Sequence, residues 1–256
     1  MPSHTFTRVG MWEESVKTNN RSMKVALADG SIAEALHASD YAMYAYLQMG
    51  KESEAKAILD GLPALAARFD PTAITGAAPG SAGVFALAAI PARWALERSA
   101  WAEAAALEPK PSAYPYAEAM TYFARALGAS HTGDLAKAKS AIDSLGSIQR
   151  WLSANGEGYW AEQVAIQQLA ARAWLDFAER RQTDALIRIR EAVTREDATE
   201  KSAVTPGPLL PARELLGDML MALNRPVEAS AEYRASLRKE PNRRHALRRI
   251  GGPSGD

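Results

Sequence analysis

The 256-residue sequence contains no cysteine, which excludes disulfides, thiolate nucleophiles and cysteine-ligated zinc or iron–sulfur centres. Its 30 basic residues balance 30 acidic ones, so no global charge favours nucleic acid, an anionic membrane or a strongly acidic partner. No apolar stretch approaches the ~20 residues of a membrane span, and residues 1–10 lack a signal-peptide pattern. We therefore expect a soluble protein, cytoplasmic by default, whose compartment the sequence leaves open.

Motifs of common catalytic sites are missing as well. The chain has no glycine-rich phosphate loop, no nucleophile elbow, no metalloprotease helix with paired histidines and no dinucleotide fingerprint. The sequence accordingly predicts no catalytic residue, no metal site and no cofactor. With 47% apolar and 23% charged side chains, it predicts an ordered protein with a sizeable core.

The dominant period of the sequence is helical. Alanine, leucine, glutamate, lysine and arginine are abundant, apolar residues recur three and four positions apart, and strand-like alternation is almost absent. Glycine and proline collect between the periodic segments, at residues 29–31, 70–83, 108–115, 155–158 and 206–211. This pattern predicts an all-α protein built from helical hairpins.

The hairpins repeat a common pattern, which is clearest near the end of the chain. There Gly217 lies on one helix, Asn224 marks the turn, and Ala229 and Tyr233 lie on the second helix. A turn marker followed five residues later by a small residue occurs six times, as Gly10/Ser15, Gly50/Ala55, Ser99/Ala104, Gly133/Ala138, Arg180/Ala185 and Asn224/Ala229. Small residues let antiparallel helices approach closely, and the pattern resembles the tetratricopeptide repeat.

This resemblance implies a right-handed α-solenoid of tetratricopeptide-like antiparallel hairpins, a single domain over residues 1–256. The hairpins are expected at residues 1–28 (partial), 34–69, 84–108, 114–150, 158–197 and 208–241, followed by a tail at 242–256. In the repeat family such an array is a scaffold that binds a protein or peptide segment in its concave groove.

Longer strings resemble an uncharacterised family of bacterial tetratricopeptide proteins. They are MPSHTFTRVG at 1–10, ALHASDY at 35–41, YAYLQ at 44–48 and EKSAVTPGP at 200–208. In that family such strings lie in the latter half of a longer protein, which implies that this chain is a C-terminal portion or a short member. No activity comes with the resemblance. We expect both ends to expose apolar faces, which would favour self-association.

One helical face carries the first group of candidate site residues. His37, Asp40, Tyr44 and Leu47 follow one another at helical steps of three and four residues, and the resemblance implies that this face lines the groove. The Asp40 carboxylate is expected to raise the pKa of His37 by stabilising its charged form. The alternative is a hydrogen-bonded structural cluster, because buried polar groups are normally satisfied by one another.

His4 gives a second hypothesis, a pocket that joins it to His37 and Asp40. Such a pocket would suit a small molecule, a metal or an enzyme in which histidine acts as the general base and aspartate orients it. Two histidines alone do not make a zinc site, which requires a third protein ligand. Contact between the two imidazoles in a closed polar pocket would favour this alternative.

Trp174, Phe177 and Glu214 complete the candidates for the partner groove. Trp174 and Phe177 lie three residues apart on one helix and could anchor a peptide, whereas core packing is the alternative. Six basic residues between Arg238 and Arg249 form a local patch, but no aromatic platform accompanies them. We therefore expect a solvated terminal helix and no nucleic-acid or membrane partner.

Overall fold

The computed structural model describes residues 2–202 and 204–251, and all regular structure in these residues is helical. The prediction of an all-α protein is confirmed. None of the helices in the described residues is both long and apolar enough to cross a membrane. The helices are α1 (Pro2–Arg8), α2 (Trp12–Ala28), α3 (Ile32–Gln48), α4 (Glu52–Ala66), α5 (Gly80–Glu97), α6 (Trp101–Ala106), α7 (Pro115–Thr132), α8 (Leu135–Ala154), α9 (Gly158–Ala178), α10 (Gln182–Asp197), α11 (Ala212–Ala222), α12 (Pro226–Lys239) and α13 (Arg244–Ile250).

The turns within the hairpins share one backbone conformation. All six turn markers have a φ between +53° and +84°, although only three of them are glycine. A left-handed residue after a helix is a common way to end it, because it turns the chain sharply while the last carbonyls remain bonded. The small residues five positions later are all 0% exposed: Ser15, Ala55, Ala104, Ala138, Ala185 and Ala229.

The described residues form two compact units. Unit 1 comprises those of Met1–Trp94, Lys201–Pro208 and Leu237–Asp256, and unit 2 those of Ala95–Glu200 and Leu209–Ser236. In both units, helices that are adjacent in the sequence pack against each other.

Unit 1 is organised around α3. Sixteen of its 17 residues are buried, all except Tyr46, because α2 and α4 pack on it and α1 and α13 contact it as well. Its apolar side belongs to a cluster made of Ile32, Leu36, Met43, Leu47, Ala55, Leu62, Ala86, Ile90 and Trp94. A helix surrounded in this way places any polar side chain that it carries inside the unit.

The described residues from 237 to 251 are also part of unit 1. The indole N–H of Trp12 donates to the Asn242 carbonyl over 2.9 Å, and Gln48 accepts from the backbone N–H of Arg244 over 3.0 Å. Arg243 is 0% exposed, so the expectation of a fully solvated basic segment is wrong at this residue. Arg243 is buried because it packs on α3, where its Nη1 donates to the Tyr44 hydroxyl.

Unit 2 is a run of antiparallel helices, with successive packing from α6 to α11 and a further contact of α7 with α9. Neighbouring chain segments approach the backbone of these helices closely at two glycines. A Cβ on Gly128 would lie 2.4 Å from the Ala105 nitrogen, and one on Gly217 would lie 2.5 Å from the Tyr233 ring. The predicted need for small residues at the crossings therefore has a direct steric cause at these two positions.

Candidate functional site

Unit 1 contains a buried polar cluster centred on α3. Helix α3 contributes His37, Asp40, Tyr41 and Tyr44, and other parts of the unit contribute His4, Arg93 and Arg243. The α3 members lie at steps of three and four residues, so the helical period places them side by side. His37 is 6% exposed, Asp40 1% and Tyr44 0%. The face that the sequence analysis assigned to a groove is thus enclosed by unit 1 itself.

Two histidines meet at one end of this cluster. The Nε2 atoms of His4 and His37 lie 3.0 Å apart, a distance at which one neutral imidazole donates to the other. The His4 ring also stacks on Tyr41, with 4.5 Å between the ring centroids. The contact between His4 and His37 that would favour the pocket hypothesis is therefore present in the structure.

Burial controls the protonation of both rings. Desolvation lowers the pKa of His37 to about 4, and desolvation followed by the neighbouring His37 lowers the pKa of His4 to about 4. The expectation that Asp40 raises the pKa of His37 is wrong in direction. Withdrawal from water disfavours the charged imidazolium, so both histidines are neutral near pH 7.

Asp40 is paired with an arginine that the sequence analysis did not single out. Its Oδ1 accepts from Arg93 Nε over 3.1 Å, and the two side chains are 1% and 0% exposed. Burial raises the pKa of Asp40, while the Arg93 charge acts in the opposite direction. A signal for Arg93 was available, because it is the one charged residue between Val84 and Leu96, and a lone charge in an apolar helix demands a partner.

Two guanidinium groups lie close to the Tyr44 ring. The Arg93 and Arg243 Cζ atoms are 4.8 Å and 5.6 Å from the centre of its ring, within the range of cation–π attraction. Its hydroxyl accepts from Arg243 Nη1 over 2.9 Å. Tyr44 therefore connects α3 to the C-terminal segment of unit 1.

A proline-containing segment of the same chain, residues 205–208, covers the cluster. Arg93 donates to the Pro208 and Gly207 carbonyls over 3.2 and 3.4 Å, and the Tyr41 hydroxyl donates to the Thr205 carbonyl over 3.0 Å. Pro206 and Pro208 restrict the backbone of this segment and carry no N–H donor. Glycine and proline at residues 206–211 indicated a break between helices here, but not the contact with α3.

The metal hypothesis lacks a third ligand in the described part of the chain. No group of three or more histidine, aspartate or glutamate side chains there has a geometry that could hold a metal ion. Asp40 accepts from Arg93, and the two histidine Nε2 atoms face each other. The three candidate ligands are thus engaged in two separate contacts, although Asp40 Oδ2 has no hydrogen-bond partner among the described residues.

Unit 2 carries a separate open groove, which we call the aromatic groove. It has a volume of about 390 Å³ and is lined by Ser130, His131, Gly133, Leu135, Trp174, Phe177, Ala178, Arg180 and Gln182. Trp101, His131, Trp174 and Phe177 form a continuous row of rings, with successive centroids 3.8, 4.3 and 5.5 Å apart. Trp174 is 6% exposed, whereas Phe177 is half-buried and Arg180 exposed.

Burial also lowers the pKa of His131 to about 4, against a smaller opposite effect of the Asp218 charge. The groove thus has a neutral aromatic wall with arginine and glutamine at its edge.

The remaining candidate site residues lie outside this groove. Leu47 belongs to the apolar cluster of unit 1, and Glu214 is 1% exposed in the first turn of α11. No known protein family, curated protein or solved structure matches this chain.

Proposed function

We propose that the hairpins are tetratricopeptide-like repeats of a right-handed α-solenoid and that the protein is a scaffold for a protein or peptide segment. The observation that carries the proposal is the sixfold repetition of a left-handed turn residue with a fully buried small residue five positions later. That recurrence is the local requirement of helical hairpins stacked at close range.

The aromatic groove is the surface that fits such a partner best. Trp174 and Phe177 offer a rigid apolar wall, and Arg180 and Gln182 offer hydrogen-bond donors at its edge. Because Trp174 and Phe177 stand on α9 and Gln182 on α10, little ordering of these side chains is needed when a peptide binds. His37, Asp40 and Tyr44 are buried, so their part in the proposal is to hold unit 1 together.

A selection from a phage-displayed library of random dodecamer peptides tests the proposal. We expect enriched peptides that bind the wild type saturably in fluorescence anisotropy. The Phe177→Ala variant should weaken binding by about 30-fold, which corresponds to the ~2 kcal/mol of an aromatic anchor. Phe177 is half-buried, so the folding of this variant is checked by circular dichroism.

Trp151→Ala is the matched control, because Trp151 is an aromatic residue of unit 2 that is 50% exposed and does not line the groove. Its effect on affinity should stay within about twofold, as for most surface positions outside a binding site. A library that yields no saturable binder, or peptides whose affinity falls equally in both variants, would contradict the proposal.

The contact of His4 with His37 favours a second candidate, a small-molecule or metal-binding protein or enzyme that uses these residues and Asp40. Native mass spectrometry of the purified protein distinguishes this candidate. A bound mass or metal that is present in the wild type and lost in His4→Ala would favour it, and an unliganded spectrum together with peptide binding favours the scaffold.

A further inference from the structure

A groove in unit 1 lies beside the first turn of α3, and we call it the α2–α3 groove. It has a volume of about 480 Å³ and is lined by Pro2, Ser3, Thr18, Arg21, Ser22, Val25, Ala26, Asp29, Ser31, Glu34, Gly76 and Ala77. The prolyl, valyl and alanyl side chains give it apolar walls, and four hydroxyl groups add acceptors and donors. Neither the histidine contact nor the peptide proposal involves this groove.

Glu34 is the charged group inside it. This residue is 9% exposed, and its Oε1 accepts from the Ser22 hydroxyl over 3.3 Å, a long hydrogen bond. Its Oε2 is buried and has no hydrogen-bond partner among residues 2–202 and 204–251. A buried carboxylate oxygen without a donor is unfavourable, and a ligand that supplies the donor recovers that free energy.

The other charged side chains that the structure describes near the groove do not supply this donor. Arg21 and Asp29 are exposed, so solvent and salt screen them. His4, whose charge would interact with Glu34, is neutral near pH 7 because burial and His37 lower its pKa to about 4. Of these charged side chains, Glu34 is therefore the one that places a buried carboxylate in the groove.

We propose that the α2–α3 groove binds an aliphatic primary ammonium group, with Glu34 as its counter-ion. An ammonium has three N–H donors and no acceptor, which suits one carboxylate and the surrounding hydroxyl oxygens. The alkyl body of the ligand packs between Val25, Ala26 and Ala77. Because the terminal torsion of a glutamate side chain is broad, either carboxylate oxygen can turn toward the ligand.

The test uses n-butylamine as the probe and the wild-type chain as the protein. The amide signals of Gly76 and Ala77, which line the groove, are followed in ¹H–¹⁵N correlation spectra during titration. We expect a saturable shift with a millimolar Kd, the range that ligand efficiency allows for so few heavy atoms. 1-Butanol, the neutral analogue of the same size, should bind about tenfold or more weakly, and so should butyrate.

Glu34→Gln removes the charge and keeps the shape, so it should weaken n-butylamine binding by about tenfold to a hundredfold. Asp29→Asn is the matched control, because it removes an exposed carboxylate from the lining of the same groove. The affinity of this control should change by about twofold or less, as expected for a screened surface charge.

Two further probes identify the source of the ammonium. Tighter binding of N-acetyl-lysine amide assigns the groove to a lysine side chain, and tighter binding of alanine amide assigns it to an α-ammonium. The proposal is overturned if 1-butanol binds as tightly as n-butylamine, if the two variants change the affinity alike, or if millimolar amine produces no saturable shift. The comparison of probes on the wild type does not depend on either variant folding.

Discussion

The Arg93→Met substitution tests the buried ion pair of unit 1. The change preserves an unbranched side chain but removes a guanidinium that donates to Asp40 Oδ1 at 3.1 Å and to the Pro208 and Gly207 carbonyls at 3.2 and 3.4 Å. Both charged side chains are almost fully excluded from solvent. Breaking such a pair costs about 3–5 kcal/mol, because the remaining charge stays buried without compensation.

The cost should depend on pH in a defined direction. Burial already raises the pKa of Asp40 while Arg93 opposes that shift, so loss of Arg93 raises this pKa further. A carboxyl group with a raised folded-state pKa destabilises the protein above its unfolded-state value of 3.8. The penalty of Arg93→Met should therefore be largest near neutral pH and shrink as the pH falls toward that value.

Urea unfolding followed by circular dichroism gives the free energies, and the double variant Asp40→Asn/Arg93→Met is the control. Since the double variant removes both charges of the pair and leaves no unpaired Asp40 carboxylate, it should be more stable than Arg93→Met alone. A coupling energy of at least ~1.5 kcal/mol in the double-mutant cycle is expected for a close buried pair. A penalty below ~1 kcal/mol for Arg93→Met, or additive effects, would refute the reasoning.

Two further predictions concern the buried histidines and the helix crossings. Because burial lowers the pKa of His37 and His131 from 6.5 to about 4, the free energy of unfolding should fall as the pH drops through this interval, by about 2–3 kcal/mol per histidine. His37→Gln should reduce that fall in urea titrations at several pH values, and an unchanged fall would show that the imidazole is not held neutral. Gly128→Ala should destabilise the protein by about 1–3 kcal/mol, since its Cβ would lie 2.4 Å from a backbone nitrogen. Gly61 is a helical glycine at which a Cβ would meet no atom of the described residues within 4 Å, so Gly61→Ala should stabilise the protein by about 0.5–1 kcal/mol. Equal effects of the two substitutions on Tm would contradict the packing argument.

Much of the helical structure could be predicted from local signals. The 3.6-residue period and the turn chemistry act over a few residues, so the six turn markers were visible in the sequence. The small residues after them were also visible, because each hairpin repeats the same steric requirement. The right-handed solenoid and its concave groove stay predictions.

The site could be predicted only in part. Helical spacing grouped His37, Asp40 and Tyr44 on one face of α3, and the hypothesis that brought His4 to His37 agrees with the 3.0 Å contact. The same spacing could not reveal whether that face meets solvent or protein. An amphipathic pattern with polar residues on one side looks alike when that side lines a groove and when it is satisfied by distant parts of the chain.

By itself, the sequence determined the helical class, the turns and the small residues that follow them, since these depend on neighbours within about two helical turns. Only the tertiary structure decided the environment of the polar residues. Arg93 meets Asp40 across 53 positions and Arg243 meets Tyr44 across 199, and contacts over such separations leave no periodic trace in the sequence. They lie on the same α3 face as His37, whose burial lowers its pKa, so the surfaces proposed to bind ligands are the aromatic groove and the α2–α3 groove.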